Sequence, residues 1–344
     1  MKILISSDIN SYKNPYISSL YEGLKKINVD ITCSLNEFWN NWKAYDIIHI
    51  QWPNLLLTKH NYNFVTEHLR NIRKEKKIIV TCHNLVPHYS NNTELINLYD
   101  YIYSIADTII HMGEYSRNIL KLKYPYVNHI IIPHHIYNNI YTQIPYKDES
   151  IQKLHLSKKY KYILCFGAFR DEEERILVKY VAENFNKYNY KVLAPGFCNI
   201  QLRKNIFMVL ISVFKFIKMK IRYKNIIFGY KFITDKMLPY YYAASDIALI
   251  QRKKILNSGN LPLALMMGKV VVAPNIGNIS DIMSKINNPT FNPNDIQSLY
   301  AAINHAILLS KNNKGEQNKL YAYQEFSIER ISYMHLKLYN DILN

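Results

Sequence analysis

The sequence predicts an α/β protein with two doubly wound domains of parallel strands in tandem, and three observations carry that prediction. Short, fully apolar, β-branched runs alternate with helical stretches along all 344 residues. Strands without a polar face belong to parallel sheets covered on both sides. The alternation pauses once, in a polar stretch at 137–161 that contains Pro145 and the run Lys-Asp-Glu-Ser at 147–150, and then resumes. The length also suits two domains of ~150 residues each.

In the first half the predicted strands are 2–6, 30–33, 47–50, 77–82, 108–111 and 128–132, with helices at 15–27, 61–74, 93–106 and 115–122. Helix 15–27 carries the stripe Ile17, Leu20, Leu24 and Ile27, and Asn14-Pro15 suits its start. After the polar linker come strands 162–166, 190–193, 225–228, 247–250 and 270–273, with helices 172–185, 201–219, 235–244 and 261–267. A last helix spans about 327–343. The expected division is 1–145, then 146–325, with 326–344 packing back on the first domain.

The 43 Lys+Arg against 26 Asp+Glu give a net charge of +17. Residues 1–150 hold 15 basic and 13 acidic side chains, so the remainder holds 28 and 13, net +15. Between Glu183 and Asp235 ten basic residues meet no acidic one. Such a run implies an anionic partner: phosphate, nucleic acid or anionic lipid. The nine glycines are never closer than nine positions, which excludes a G-x-G-x-x-G fingerprint and a Walker A loop. Cys33, Cys82, Cys165 and Cys198 show no metal spacing and read as free thiols of a reducing compartment. The apolar run at Met1–Asp8 is too short for a secretion signal, and the longest, 206–217, falls short of a bilayer span and contains Lys215. A cytoplasmic protein without a protein-bound metal is expected.

In doubly wound sheets chemistry gathers at the carboxyl ends of strands. Strand 77–82 runs into His83-Asn84-Leu85-Val86-Pro87-His88, and strand 47–50 contains His49 and runs into Gln51-Trp52-Pro53. His83 there suits an acid, a base or a sugar ligand, or a loop histidine satisfied by backbone. Trp52 suits a sugar plate or a core plug. Glu114 falls at a helix start, as a cap or a base. His134 and His135, adjacent in an extended segment, should point in opposite directions. In the second half, Gly167-Ala168-Phe169-Arg170 lies between a strand and a helix opened by Asp171-Glu172-Glu173-Glu174. Arg170 suits a diphosphate, provided the acidic run faces away from it. Gln251-Arg252-Lys253-Lys254 precedes Asn257-Ser258-Gly259-Asn260, where Ser258 is expected to cap the next helix and leave N–H groups for an anion. Helix 201–219 is apolar nearly all round, with basic residues within and beyond it up to Lys224. It reads either as a core helix with a solvated basic end or as a helix lying in an anionic membrane interface.

Taken in order, Ile48-His49-Ile50-Gln51-Trp52-Pro53, Thr81-Cys82-His83-Asn84-Leu85-Val86-Pro87-His88 and Ile132-Pro133-His134 resemble the N-terminal domain of bacterial family 4-like glycosyltransferases, which build surface polysaccharides. Ala244-Ser245-Asp246-Ile247, Asn257-Ser258-Gly259 and Gly268-Lys269-Val270-Val271-Val272-Ala273-Pro274 resemble their donor-binding half. The resemblance implies the GT-B fold, two Rossmann-like domains facing across a cleft. It also implies transfer of a sugar from a UDP- or GDP-sugar to a lipid-linked or oligosaccharide acceptor, without a metal or other cofactor. On that reading His83 and Glu114 are the catalytic candidates, and Gln51, Trp52, His88 and His134 bind the acceptor. Arg170, Arg252, Lys254, Asn257, Ser258, Gly259 and Asn260 bind the donor. Two positions depart from the family. The usual second basic residue of the diphosphate clamp is Glu173, and the family's glutamate pair falls near Ile255 and Leu263. Retention or inversion therefore stays open. An anionic membrane surface met through 203–224 at its inner face is a further expected partner, and nucleic acid is not. Two alternatives remain: a non-catalytic anion- or nucleic-acid-binding protein using the 187–231 basic run, and a nucleotide-sugar epimerase on the same fold.

Overall fold

The computed structural model describes residues 1–9, 15–87, 92–198, 206–229 and 233–344. Two compact units share the chain: 1–140 with 323–344, and 141–322.

The first unit contains β1 (Lys2–Ile5), α1 (Tyr16–Lys26), β2 (Asp30–Cys33), α2 (Leu35–Asn40), β3 (Ile47–Ile50), α3 (Tyr62–Glu75) and β4 (Lys77–Thr81). It continues through α4 (Thr93–Ile105), β5 (Thr108–His111), α5 (Glu114–Lys123) and β6 (Asn128–Ile131). The six strands are parallel and ordered β2-β1-β3-β4-β5-β6. Ile3, Ile5, Ile47, Ile79 and Ile110 form the centre of the core, against Ile17, Leu20 and Leu24 of α1. That is the stripe expected for the first helix. Its proposed cap, Asn14, lies outside the described residues.

The second unit begins with α6 (Lys147–Lys153) and β7 (Lys161–Leu164), followed by α7 (Glu172–Phe185), β8 (Tyr190–Leu193), α8 (Ile206–Arg222) and β9 (Ile226–Ile227). Next come α9 (Leu238–Ala244), β10 (Ile247–Leu249), α10 (Asn260–Met266), β11 (Val270–Pro274), α11 (Gly277–Lys285), β12 (Thr290–Phe291) and α12 (Ile296–Lys311). Its parallel strands run β12-β11-β10-β7-β8-β9. Each sheet reverses its strand order once, between β1 and β3 in the first and between β7 and β10 in the second. Ligands of open α/β sheets bind outside the strand ends at such a switch point.

After α13 (Lys314–Phe326), α14 (Ile328–Leu343) lies in the first unit, with Ser327 accepting the Arg330 N–H as its cap. Ile328, Ile331, Leu338 and Tyr339 join the first core. Gly23 of α1 is what admits the contact, because a Cβ there would overlap the Ser332 and Ile328 side chains.

Two expectations need correction. The stretch 137–161 is not a plain linker: α6 folds within it and packs on α9, burying Ile151. A polar helix of about two turns gives little periodic signal and declares itself only through its partner. The helix expected at 201–219 is seen at Ile206–Arg222, with 201–205 outside the described residues.

Candidate active site

β3 and β4 run side by side and deliver the first group of side chains. Gln51, just past β3, is fully buried. Its Oε1 accepts the His83 Nε2–H at 2.8 Å, and its amide Nε2–H donates to His49 Nε2 at 3.0 Å. His49 Nε2 lies 2.8 Å from the Thr81 hydroxyl, and His49 Nδ1 lies 2.8 Å from the Tyr339 hydroxyl. A carbonyl oxygen can only accept, so with this amide orientation the His83 proton sits on Nε2 and Nδ1 is the basic nitrogen. Burial, and secondarily the neighbouring His134, pushes the His83 pKa down to about 3. At neutral pH His83 is an uncharged ring of one tautomer, held through Gln51 and His49 by the C-terminal helix.

Trp52 stacks on His83, with ring centroids 4.3 Å apart and planes 17° apart. Tyr16, at the start of α1, meets His83 and His134 edge-on at 5.0 Å and His135 at 4.7 Å. His134 and His135 thus turn to one side, contrary to the alternation expected of an extended segment. The reason is that β6 ends at Ile131 and its pairing with β5 stops at the Ile132 N–H, which donates to the His111 carbonyl, so His134 and His135 lie beyond the pleat. His134 donates its Nδ1–H to the His135 carbonyl at 2.7 Å, and burial lowers its pKa to about 4. His135 is wholly buried, and neither ring nitrogen has a hydrogen-bond partner among the described residues. Glu114 is engaged elsewhere, in the first turn of α5, by Arg117 at 2.5 Å. His88 lies outside the described residues.

In the second unit, β7 and β10 flank the switch point. Gly167 follows β7 with φ +104°, a conformation that suits glycine. Gly196, beyond β8, supports that turn, for a Cβ on it would strike the Gly167 carbonyl. Gly196→Ala should therefore displace the turn and cost about 1–3 kcal/mol in urea unfolding. A loss below 0.5 kcal/mol would show that the turn moves freely.

The acidic start of α7 is consumed locally. Asp171 caps the helix by accepting the Glu174 N–H at 2.9 Å, and Glu174 Oε2 accepts the Arg170 backbone N–H at 2.9 Å, a variant of the capping box. Glu174 is almost fully buried, and Arg252 Nη1 donates to Glu174 Oε2 at 2.5 Å and to the Ala168 carbonyl at 2.8 Å. Glu173 holds Lys253 at 3.3 Å. Two cations of this edge are thereby neutralised. Arg170 and Lys254 remain exposed, and no carboxylate pairs with either among the described residues; Arg170 Nη1 only touches the Lys254 carbonyl, at 3.4 Å.

Ser258 does not cap α10. The cap position is Gly259, already helical, and the Ser258 hydroxyl accepts the Asn260 N–H at 3.3 Å. The Asn260 amide donates to the Phe166 carbonyl at 2.9 Å, tying this loop to the end of the β7 strand. Asn257 accepts from the Asn278 amide at 2.8 Å. Gln251 is buried with its amide nitrogen lacking a partner among the described residues, a donor poised at a strand end.

Sequence reading missed Tyr16, Tyr339, Glu174 and Gln251. Glu174 left a signal in the Asp-x-x-Glu spacing from Asp171, and Gln251 in its place one residue beyond the predicted strand 247–250. No group of three or more side chains able to hold a metal ion occurs among the described residues.

No protein-family model and no curated protein matches the chain. Solved structures do. Sucrose-phosphate synthase from Thermosynechococcus elongatus superposes with a TM-score of 0.73 at 14% identity, covering 99% of this chain and 98% of that one. HepE of Anabaena in complex with UDP gives 0.71 at 14% identity, covering 99% and 100%. A glycosyltransferase from Rickettsia africae gives 0.63 at 16% identity, covering 96% and 83%. The chain has the GT-B fold.

Proposed function

We propose that the protein is a glycosyltransferase that moves a sugar from a UDP- or GDP-sugar to a lipid-linked saccharide acceptor in surface-polysaccharide assembly, at the inner face of a membrane. The observation that carries the donor assignment is the pair of unneutralised cations, Arg170 and Lys254, at the switch point of the second sheet. Departure of a nucleoside diphosphate builds negative charge, and fixed cations there lower the barrier. Arg252 acts through Glu174, as a strut under the Arg170 turn. Gln251 offers a donor, and Asn257, Ser258, Gly259 and Asn260 line the same loop. That HepE was solved with UDP-glucose on the same fold is consistent with such a donor.

In the first unit, neutral His83 is suited to contact a sugar on the acceptor side, with Trp52 as the apolar plate stacked on it. A ring whose pKa is about 3 carries no second proton at pH 7 and is a weak base, so the role of His83 is to orient a hydroxyl. Gln51 and His134 contribute to the acceptor side through that ring and Tyr16. Glu114, which would first have to leave its ion pair with Arg117, is the second candidate base, and the proposed reaction uses no metal or other cofactor.

Thermal shift with UDP, GDP, ADP and CMP tests the donor reading. A saturating diphosphate, at about 100 times its Kd, should add about 2.7 kcal/mol and raise the Tm. Arg170→Ala should weaken the response about tenfold or more in ligand concentration, in line with losing one charge-assisted contact. A Tm unmoved by all four nucleotides would sink the donor reading. An unchanged response in Arg170→Ala would remove Arg170 from the site.

A further inference from the structure

α8 has two faces that its sequence alone does not separate. Phe216, Met219 and Tyr223 pack against the second unit's core, with Tyr223 against Phe197 at 5.7 Å and Phe216 against Phe228 at 5.5 Å. At 100° per residue, the opposite face carries Leu210, Ile211, Val213, Phe214, Ile217 and Ile221. All six are exposed, Phe214 by 72%, Ile221 by 65% and Leu210 by 63%. Lys215, Lys218 and Arg222 run along one flank, exposed. Lys220 lies on the other, its ammonium held by the Phe228 carbonyl and over the Phe228 ring. No acidic residue occurs anywhere between Glu183 and Asp235 to answer these charges.

A contiguous apolar face of this size on a soluble surface marks an interaction site, and the charge decides its occupant. A second copy docked face to face would set Lys215, Lys218 and Arg222 against their own kind. A nucleic acid would meet aliphatic side chains and, among the described side chains of this helix, one exposed ring, Phe214, since Phe216 and Tyr223 are spent on the core. An anionic bilayer satisfies both parts at once: acyl chains cover the apolar face and headgroups answer the basic flank. The helix is 17 residues long, and no helix among the described residues is long and apolar enough to cross a membrane.

We propose that α8 lies flat in the interface of an anionic lipid bilayer, with Leu210, Phe214, Ile217 and Ile221 in the acyl boundary and Lys215, Lys218 and Arg222 among the headgroups. This deepens the proposed lipid-linked acceptor and rests on that reading for its purpose, while its assay needs no sugar transfer.

The full chain is sedimented with phosphatidylcholine vesicles and with phosphatidylcholine–phosphatidylglycerol vesicles. The wild type should pellet with the anionic vesicles at least tenfold better than with the neutral ones. Lys215→Ser/Lys218→Ser/Arg222→Ser should abolish that preference, and Phe214→Ser/Ile217→Ser should lower anionic binding at least tenfold. Both variants should keep the wild-type Tm and nucleotide response, since the altered side chains already face solvent. A wild type that stays in the supernatant with anionic vesicles overturns the proposal, whatever the nucleotide result. So does a Phe214→Ser/Ile217→Ser variant that binds vesicles as the wild type does. A wild type that sediments as a dimer in solution, made monomeric by Phe214→Ser/Ile217→Ser, also overturns it and assigns the face to a second copy.

Discussion

Glu174→Ala should destabilise the second unit by about 3–5 kcal/mol, because it strands a buried guanidinium. Arg252 and Glu174 are both nearly inaccessible, and one carboxylate oxygen holds both the Arg252 side chain at 2.5 Å and the Arg170 backbone at 2.9 Å. Removing it leaves Arg252, among the described residues, with the Ala168 carbonyl as its remaining hydrogen-bond partner and frees the turn that presents Arg170. Urea unfolding and nucleotide titration should therefore fail together. Replacing both partners, as Glu174→Leu with Arg252→Met, should recover much of the stability, since apolar substitutes of similar volume avoid the desolvation cost. A Glu174→Ala loss under 1 kcal/mol would mean that the pair is not a strut.

Acidification should unfold the first unit between about pH 6 and pH 4. Burial holds His83 and His111 at about pKa 3 and His134 and His335 at about 4, and it lowers His49 and His135 well below the ordinary range. An unfolded histidine titrates near 6.5. Above that value both states are neutral and the folded state keeps its full stability. Below it the unfolded chain takes up protons that the folded one refuses, so stability falls as pH drops. Each such histidine contributes about 1.4 kcal/mol per pH unit across its window. The six act in the same direction within the first unit, so stability falls steeply once the pH drops below about 6. Circular dichroism against urea at pH 7, 6 and 5 measures this, and a urea midpoint that stays level down to pH 5 would refute it. A titration localised to the second unit would refute it equally.

The strand–helix alternation was legible because its signals are local. Apolar β-branched runs, the stripe of α1 and the break near 137–161 are each properties of a few neighbouring residues. His83, Gln51, Trp52 and Arg170 stood out for the same reason, each one or a few positions beyond a strand end. Where the reading slipped, a distant partner or a missing one was responsible. α6 depends on α9 for its burial, Ser258 lost the cap to a helical Gly259, and His134 and His135 follow no pleat once β6 has ended.

By itself, then, the sequence determined the α/β class, the strand ends where chemistry gathers and the charge imbalance of the second half. The tertiary structure alone decided which charges are spent. Arg252 meets Glu174 across 78 positions and His49 meets Tyr339 across 290, and no local pattern encodes such pairs. It also decided which face of α8 is open. An all-apolar helix has no preferred side until a core claims one, and here Phe216, Met219 and Tyr223 are claimed while Phe214 and its neighbours are left to solvent.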